Sequence, residues 1–272
     1  MNSFEKQYYE AETFWEGEML QDPANRDRIL TTAALIPLDT KTLADIGCGN
    51  GIFVNYLLDN YKALQITGVD RSKTALKYVR SNKIVADIAS LPFANNYFDC
   101  VTCLQVIEHL PIPVYKKSLK ELARIASKHI IISVPYDEKL ENSYTQCPAC
   151  KTIFNKEIHL RSFKEDDILN LFHDYGFKCV TTQKLNPSST FKGHGLYRKI
   201  FFPEQFITWS SPICPICGYE EKTNGLINTS VNTLKKLPLR KKWISYFTGL
   251  PKLIWPKKTH YYWILARYER GD

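Results

Sequence analysis

Residues 43–51 read L-A-D-I-G-C-G-N-G and decide the fold of this chain. A mostly apolar run over residues 42–46 ends in glycines at alternating positions, Gly47, Gly49 and Gly51, and a helix-like apolar pattern follows at once. This order predicts a strand, a glycine turn and a helix. Glycine is needed where the backbone takes a positive φ or comes close to a ligand, and a helix start offers free N–H groups. The stretch therefore predicts a nucleotide-like ligand at the carboxyl end of a first strand.

The spacing of the glycines separates two kinds of nucleotide site. The dinucleotide fingerprint is G-x-G-x-x-G, whereas the third glycine here, Gly51, comes one residue early, and Asp45 stands two residues before the first glycine. The resulting D-x-G-x-G-x-G resembles the first motif of class I S-adenosylmethionine (SAM) methyltransferases. The resemblance implies that Asp45 lies near the amino-acid end of the cofactor. On this motif alone, a glycine turn without SAM remains the alternative.

Two more apolar segments end in acids, residues 65–70 at Asp70 and residues 83–87 at Asp87. A carboxylate at the position of Asp70 can accept hydrogen bonds from both ribose hydroxyls, as in dinucleotide folds. The resemblance implies that Asp87 faces the adenine amino group. The cofactor-binding residues predicted in this way are Asp45, Gly47, Gly49, Gly51, Asp70, Asp87, Ile88, Leu104 and Gln105.

Strands alternate with helices from residue 41 onward, which indicates a parallel sheet with right-handed crossovers. The predicted strands cover residues 42–46, 65–70, 84–87, 100–105, 129–134, 177–185 and 261–268. The predicted helices include residues 24–35, 72–80 and 162–175. The resemblance implies an α/β, Rossmann-like sheet of seven mostly parallel strands with helices on both faces and an antiparallel last strand.

The chain divides into three predicted parts. They are a helical cap over residues 1–40, a SAM methyltransferase core over 41–185 plus 261–272, and a zinc-knuckle and acceptor module formed by insertions 137–160 and 186–260. One aromatic residue of the cap, Tyr9, Phe14 or Trp15, is expected to touch the cofactor or the acceptor. Simple packing of these aromatic side chains against the sheet is the alternative.

Each insertion carries one C-P-x-C motif. The four predicted metal ligands are Cys147, Cys150, Cys214 and Cys217. Two residues between cysteines let both thiolates face one ion, and two such knuckles complete a tetrahedral zinc site. Sixty-three residues separate the knuckles, far more than in a compact ribbon, so the fold must bring them together. Such a zinc would be structural, because four thiolates leave no open position; two unrelated turns, or redox-active pairs, are the alternatives.

Glu108 and His109 follow the fourth strand, beside the place where the methyl group would be presented. They resemble the E-x-x-E-H stretch of ubiquinone-pathway and small-RNA O-methyltransferases, in which these residues bind a divalent metal. Gln105 replaces the first acid here, and a catalytic metal is therefore not expected. His109 as a general base and His109 without a catalytic role both remain open. His159, in H-L-R-S-F, is expected to line the acceptor pocket, and the catalytic candidates are Glu108, His109 and His159.

Composition and charge indicate the class of protein and the kind of partner. The chain has 272 residues, 44% hydrophobic and 24% charged, as in globular proteins, and no apolar run approaches the ~20 residues of a membrane helix. The net charge of +8 is uneven, because residues 235–258 hold eight basic side chains and no acid, interleaved with aromatic residues. This basic-aromatic strip suits an anionic membrane surface or nucleic acid, and a solvated insertion is the alternative.

The combined prediction is a SAM-dependent methyltransferase that acts on oxygen of a small molecule or of a glycan or lipid-linked intermediate. The N-P-P-Y-type signature of exocyclic-amine methylases is absent after the fourth strand, where the chain reads C-L-Q-V. One alternative is an RNA methyltransferase that holds RNA with the zinc module and the basic-aromatic strip. Another is a SAM-binding or degenerate scaffold whose zinc module binds a partner. The expected location is the cytoplasm, with peripheral contact to the inner membrane surface as a further expectation.

Overall fold

The computed structural model of the chain describes residues 9–10, 12–15, 22–191, 214–219 and 257–271. Its strands, in chain order, are β1 (Thr42–Ile46), β2 (Gln65–Asp70), β3 (Asn82–Val85), β4 (Phe98–Leu104), β5 (Ala126–Pro135), β6 (Tyr144–Gln146), β7 (Ile153–Asn155), β8 (Phe177–Phe191) and β9 (Lys257–Arg270). Its α-helices are α1 (Glu12–Trp15), α2 (Pro23–Ala34), α3 (Ile52–Asn60), α4 (Ile112–Ile125) and α5 (Glu165–Leu169). Short 3₁₀ turns cover Ala75–Tyr78, Ile107–His109, Leu140–Ser143 and His173–Tyr175.

Seven of these strands form one sheet in the order β3-β2-β1-β4-β5-β9-β8, and β6 and β7 form a separate hairpin. Strand β9 runs antiparallel to both neighbours, whereas the pairs among β1 to β5 are parallel. This confirms the predicted Rossmann-like sheet with an antiparallel last strand. The order reverses between β1 and β4, and ligands of such sheets bind outside the carboxyl ends of the strands at that point. The glycine turn after β1 therefore lies at the expected binding crevice.

Apolar side chains cover both faces of the sheet. In β5, Ile130 and Ile132 pack in one buried cluster and Ile131 packs in another, because successive side chains of a strand point to opposite faces. Helix α4 adds Leu122 to the first cluster, and α3 adds Leu57 to the second. Helices thus lie on both faces, as predicted, and the central strands are buried on both sides.

The prediction of a helix over residues 72–80 is wrong, because only the 3₁₀ turn Ala75–Tyr78 forms there. Ser72 does act as a local cap, since its Oγ accepts a hydrogen bond from Ala75 N at 3.0 Å. The chain then becomes extended at Val79 and enters β3 a few residues later. This connection is too short for a full crossover helix.

The predicted helix over residues 162–175 is interrupted, and α5 and a 3₁₀ turn form instead. The break occurs at Asn170, whose Nδ2 donates to Asp166 O at 2.9 Å. An asparagine side chain that bonds to a backbone carbonyl four residues back competes with the helical ladder. Gly176, at φ 79°, then ends the segment, as its sequence position predicted.

The pairing of β8 with β9 continues to Phe191 opposite Lys257. Residues 186–191 and 257–260 are therefore part of the sheet and not of the predicted insertion 186–260. The two strands form a long ribbon whose far end leads into the insertion and back out of it. The insertion thus leaves and re-enters the fold at one place.

The other predicted insertion, residues 137–160, contains the β6–β7 hairpin. The basic-aromatic strip over residues 235–258 lies outside the described residues, apart from Lys257 and Lys258. In the described part of the chain, no helix combines the length and the apolar character needed to cross a bilayer.

Candidate active site

The glycine turn after β1 adopts backbone angles that favour glycine. Gly47 and Gly51 have φ angles of 74° and 77°, in the left-handed region. A Cβ at Gly47 would lie 2.5 Å from a methyl carbon of Val106, and a Cβ at Gly51 would lie 2.7 Å from a methyl carbon of Val79. Both distances are shorter than carbon–carbon contact allows. The turn therefore needs these two glycines for its own shape, whatever it binds.

Asp45 lies in β1, directly before the turn, and only 2% of it is exposed. Its Oδ1 accepts a hydrogen bond from Thr102 Oγ1 of β4 at 2.6 Å. Burial raises the pKa of Asp45 to about 7, although the Thr102 bond and the nearby Arg28 oppose the shift. This carboxyl is thus held at the switch point between β1 and β4, on the border between its protonated and ionised forms.

Asp70, the last residue of β2, holds the glycine turn in place. Its Oδ2 accepts a hydrogen bond from Gly49 N at 2.8 Å, and its Oδ1 accepts one from Ser72 N at 2.8 Å. Burial raises the pKa of Asp70, and the two backbone donors oppose that shift. A carboxylate has about four lone-pair sites, so capacity for ribose hydroxyls remains. The predicted role of Asp70 stays a prediction, and the structure adds a second role in shaping the turn.

Asp87 lies just beyond the end of β3, and its Oδ1 accepts a hydrogen bond from Ala89 N at 2.8 Å. The preceding residue, Ala86, donates its N–H to Asp70 O at 3.0 Å, which continues the sheet pairing past the strand. Asp87 and Ile88 both line the cleft at this edge. Their predicted contact with adenine has the required position and remains a prediction.

A cleft of about 430 Å³ opens at the carboxyl ends of β1, β2 and β4, within the ~300–1,000 Å³ of ligand pockets. It brings together most of the predicted residues, namely Asp45, Gly47, Gly49, Asp70, Asp87, Ile88, Leu104, Gln105, His109 and His159. Gly51 is outside its lining and acts through the shape of the turn. Glu108 is also outside the lining and lies fully buried behind His109.

Two aromatic residues of the predicted cap reach this cleft, Tyr9 and Trp15. Trp15 Nε1 donates to Tyr9 O at 2.7 Å, and Asn50 Nδ2 donates to Trp15 O at 3.0 Å. The Trp15 ring lies so close to Gly49 that a Cβ there would be 2.8 Å from it. The cap aromatic residues therefore border the place predicted for the cofactor. The side chain of Phe14 lies outside the described part of the chain.

The three catalytic candidates meet at the other end of the cleft. One ligand-type atom from each of Glu108, His109 and His159 lies within 4.8 Å of the others, and the two imidazole centroids are 4.9 Å apart. Glu108 is fully buried, and neither of its carboxylate oxygens has a hydrogen-bond partner among the described residues. Burial raises its pKa to about 7. Gln105, which stands where the resembling families have an acid, donates from Nε2 to Ser133 Oγ at 2.9 Å.

The two histidines are oriented differently by their Nδ1 atoms. His109 Nδ1 lies 3.3 Å from Ile158 O, and a carbonyl only accepts, so Nδ1 carries the hydrogen and Nε2 the lone pair. Burial lowers the pKa of His109 to about 3. His159 Nδ1 lies 2.5 Å from Glu138 Oε2, and this carboxylate raises the pKa of His159 although burial opposes it. Of the two, only His159 has a carboxylate on Nδ1, the arrangement that orients the imidazole of a general base.

The four predicted metal-binding cysteines lie together although 63 residues separate their two motifs. Cys147 Sγ is 3.7 Å from Cys217 Sγ, and Cys150 Sγ is 3.8 Å from Cys214 Sγ. A tetrahedron with metal–sulfur distances of about 2.3 Å has edges of about 3.8 Å, whereas a disulfide measures about 2.05 Å. The spacing matches four ligands around one ion. Among the other cysteines, Cys179 is half-buried.

Comparison with known proteins assigns the central part of the chain. Residues 44–132 match a protein family described as a methyltransferase domain. The chain is 38% identical over 94 residues to a tRNA U34 carboxymethyltransferase of Campylobacter curvus, covering 31% of this chain and 30% of that protein. It is 33% identical over 86 residues to a ubiquinone biosynthesis O-methyltransferase of Chromobacterium violaceum, covering 27% and 35%. A match to an uncharacterised protein of Methanocaldococcus jannaschii covers 61% of that protein. The chain therefore spans less than two thirds of the length of each of these three relatives.

A solved structure from Thermotoga maritima, described as a SAM-dependent methyltransferase and possible histamine N-methyltransferase, superposes on the whole fold. It covers 98% of each chain with a TM-score of 0.53 and 17% identity. The fold is that of the class I SAM-dependent methyltransferases. The strand order and the glycine turn after β1 agree with this assignment.

Arg28 and Trp263 also line the cleft, although the sequence pattern did not single them out. The Arg28 guanidinium lies 5.3 Å from the centre of the Trp263 ring. Its Nη2 donates to Asn25 Oδ1 at 3.3 Å, and its buried Nε has no hydrogen-bond partner among the described residues. The available signal was helical spacing, because Asn25 and Arg28 lie on the same side of α2 as the buried Ile29 and Thr32. A guanidinium with free donors in a cleft is suited to a carboxylate.

Proposed function

We propose that this chain is a SAM-dependent methyltransferase that transfers a methyl group to an oxygen of a small molecule or of a glycan or lipid-linked intermediate. The observation that carries the proposal is one cleft that joins the glycine turn and the acids of three strand ends to the Glu108, His109 and His159 cluster. When bound, SAM supplies a sulfonium methyl that needs no further activation. The protein's task is then to orient the acceptor and to accept its proton.

Orientation is the larger of these two contributions. Holding reactants in an attack geometry supplies about 7–11 kcal/mol of the barrier reduction, and a general base typically gives about 10²–10⁴-fold. The glycine turn and Asp70 orient the cofactor side, and the histidines face the acceptor side. Arg28 adds a cation between the two, beside the buried Asp45 and Glu108.

We assign proton acceptance to His159, with Glu138 as its orienting partner. Glu138 fixes Nδ1 of His159, so that Nε2 remains available as the acceptor, as in a base oriented by a carboxylate. His109 is neutral and offers an unprotonated Nε2 as a hydrogen-bond acceptor for the same hydroxyl. Of the two interpretations left open for His109, this assignment favours the one without the role of base, because burial lowers the pKa of His109 to about 3.

We also propose that the four cysteines hold one structural zinc ion. The support is the tetrahedral spacing of their sulfurs together with matching backbone turns. Lys151 N donates to Cys147 O at 3.0 Å in one knuckle, and Gly218 N donates to Cys214 O at 2.9 Å in the other. Four thiolates complete the coordination of zinc and leave no site for substrate. Its place is the β6–β7 hairpin, next to the acceptor side of the cleft.

The deciding experiment incubates the purified protein with a cell extract and SAM labelled in its methyl group. Label is then measured in the small-molecule, lipid, glycan and RNA fractions. The proposal expects label in one of the first three, as an alkali-stable methyl ether or a labile ester. Label in RNA would replace it with the RNA alternative, which the similarity to a tRNA-modifying enzyme favours. Protein that binds no SAM by calorimetry would leave only a scaffold.

The same assay tests the cluster at the acceptor end. Turnover that survives EDTA assigns the Glu108, His109 and His159 cluster to acid–base work. Loss of turnover that added Mg²⁺ or Mn²⁺ restores would assign these residues to a divalent metal, as in the families that the E-H stretch resembles. Because EDTA also challenges the cysteine site, the zinc content is measured in the same samples.

A further inference from the structure

Two of the four cysteines close the tip of the β6–β7 hairpin. Cys147 directly follows β6, and its N–H donates to Thr152 O, directly before β7, at 3.0 Å. Each strand has only three residues, and an isolated two-stranded hairpin is at best marginally stable in water. The hairpin therefore depends on what is bound at its tip.

Asn155 lies at the opposite end of the same hairpin, as the last residue of β7. It is 7% exposed, and its Nδ2 donates to Leu140 O at 3.0 Å. Its Oδ1 accepts hydrogen bonds from Glu157 N at 2.9 Å and from His159 N at 3.4 Å. One buried side chain thus ties the hairpin to the segment before it and to the loop after it.

The loop after β7 carries His159 and contacts the other two catalytic candidates. Ile158, at φ 58°, presents its carbonyl oxygen to His109 Nδ1 at 3.3 Å. Leu160 N donates to Glu108 O at 2.9 Å, and His159 supplies the second imidazole. Every member of the acceptor cluster is therefore connected to residues 155–160.

We propose that metal loading of the four-cysteine site sets the geometry of the acceptor cluster through the β6–β7 hairpin, and that Asn155 is the positioning residue of this connection. The inference rests on the proposed function, because it assigns regulation to the same site. The metal-loaded cysteine site stabilises the hairpin, and Asn155 fixes the loop after β7. This loop carries His159 and contacts the His109 ring. Loss of the ion releases the loop and stops methyl transfer.

The cofactor side of the cleft is built on other elements. Asp70 holds the glycine turn, and Thr102 holds Asp45, within the core strands β1, β2 and β4. These bonds do not involve the hairpin. The proposal therefore predicts that loss of the metal disorders the acceptor end of the cleft and leaves SAM affinity unchanged.

The experiment compares the zinc-loaded protein, the chelator-treated protein and the reloaded protein. Three readouts are followed: SAM affinity by calorimetry, hydrogen–deuterium exchange over residues 155–160, and modification of His109 and His159 by diethyl pyrocarbonate, read by mass spectrometry. Chelation should raise exchange and histidine modification at least tenfold and leave the SAM dissociation constant within twofold. Reloading with zinc should reverse both changes. Unchanged exchange after complete zinc removal, or parallel loss of SAM affinity, overturns the proposal.

Substitutions at Asn155 test the connection separately from the metal. Asn155→Ala should retain zinc and SAM binding but show the exchange and histidine reactivity of the chelated protein, with transfer of labelled methyl to extract reduced at least tenfold. Asn155→Asp keeps the acceptor oxygens for Glu157 N and His159 N and should recover part of that loss. Asn170→Ala, which removes an asparagine bond in α5, is the matched control and should change none of these readouts. Normal exchange in Asn155→Ala would remove Asn155 from the connection.

The proposal and the proposed function fail in different ways. If the untreated protein binds no SAM and transfers no methyl group, the proposed function is wrong, while exchange and histidine modification still report whether the metal orders the loop. If SAM binding and transfer are normal but do not respond to zinc, the function stands and the coupling is wrong.

Discussion

Asp70 holds the glycine turn, and its carboxylate is also predicted to bind the cofactor. It accepts two backbone hydrogen bonds within the protein, and bonds to ribose hydroxyls would use its remaining lone pairs. Hydrogen bonds to charged groups are worth about 1.5–3 kcal/mol each. Asp70→Ala should therefore weaken SAM binding tenfold or more in calorimetry. Asp59→Ala, an exposed acid paired with Arg80, is the control, and equal affinity for wild type and Asp70→Ala would contradict the assignment.

Asp45 makes stability depend on pH in a defined direction. Its pKa in the folded state is raised to about 7, whereas an aspartate in the unfolded state has a pKa of about 3.9. Between these two pH values the folded state keeps a proton that the unfolded state has released. The stability from this group is complete below about pH 4 and is lost as pH rises through about 7. Asp45→Asn lacks this titrating group, so its free energy of unfolding relative to wild type should rise from pH 5 to pH 8. Urea titrations at both values measure this, and a constant difference would contradict the raised pKa.

His159 and Glu138 form the pair on which proton transfer should depend. His159→Gln should lower turnover by about 10²–10⁴-fold, the usual contribution of a general base, with SAM affinity unchanged. Glu138→Gln should have a smaller effect of the same kind, because the imidazole loses its orienting charge. His109→Ala should leave residual activity. His173→Ala, an exposed histidine in its own 3₁₀ turn, is the control, and full activity in His159→Gln would exclude it as the base.

We expect the order of the cysteine knuckles to depend on one bound zinc ion. Elemental analysis should find about one zinc per chain, and Cys147→Ser or Cys217→Ser should lose it, whereas Cys179→Ser in β8 should keep it. Structural zinc contributes on the order of 10–16 kcal/mol in small finger peptides, which is comparable with the stability of a whole domain. The sheet core does not include these residues, so SAM binding should survive while the insertion becomes sensitive to protease. Stoichiometric iron, or a disulfide within one knuckle, would contradict the zinc assignment.

Elements that are buried on both faces could be predicted from the sequence, and short connections could not. Residues 129–134 are apolar without a break, and β5 forms there because both faces of the sheet are covered. The connection after β2 has apolar residues at helical spacing but too few residues before β3 for a helix. The predicted helix over residues 162–175 breaks at Asn170, directly after α5. The hydrogen bond of the Asn170 side chain to a backbone carbonyl is not visible in the apolar periodicity.

At the scale of the whole molecule, the site was predictable where its residues belong to contiguous motifs. Asp45 and the glycines occupy one stretch, and Glu108 and His109 are adjacent, so their places in or beside the cleft could be predicted from the motifs they form. The partner of His159, Glu138, is 21 residues away in sequence, and Arg28 reaches the cleft from a separate helix. Such contacts depend on how elements pack, which no local pattern contains. The contact between the two cysteine motifs was the exception. It could be predicted because a four-thiolate zinc site needs both motifs, although they are distant in sequence.

The place where the basic-aromatic strip joins the fold supports a membrane-associated acceptor. The strip ends as β9 begins, and Trp263, farther along β9, pairs with Pro135 at the carboxyl end of β5 and lines the cleft. Lys257 and Lys258, the described end of the strip, therefore lie on the side of the sheet where the parallel strands β1 to β5 end. A basic side chain near an anionic surface is worth about 1 kcal/mol, so several of the eight in this strip would hold the protein reversibly.

Salt-sensitive binding to anionic but not to neutral liposomes is the expected result. Lys241→Glu combined with Lys242→Glu should abolish it, and Trp243→Ala should weaken it, because an interfacial aromatic side chain is lost. Lys116→Glu combined with Lys117→Glu, in α4, changes the net charge equally and should leave binding intact. If the protein ignores liposomes but binds single-stranded RNA with the same salt sensitivity, the strip serves nucleic acid and the RNA alternative takes over. If it binds neither, the strip is a solvated face, and the acceptor is a freely diffusing small molecule.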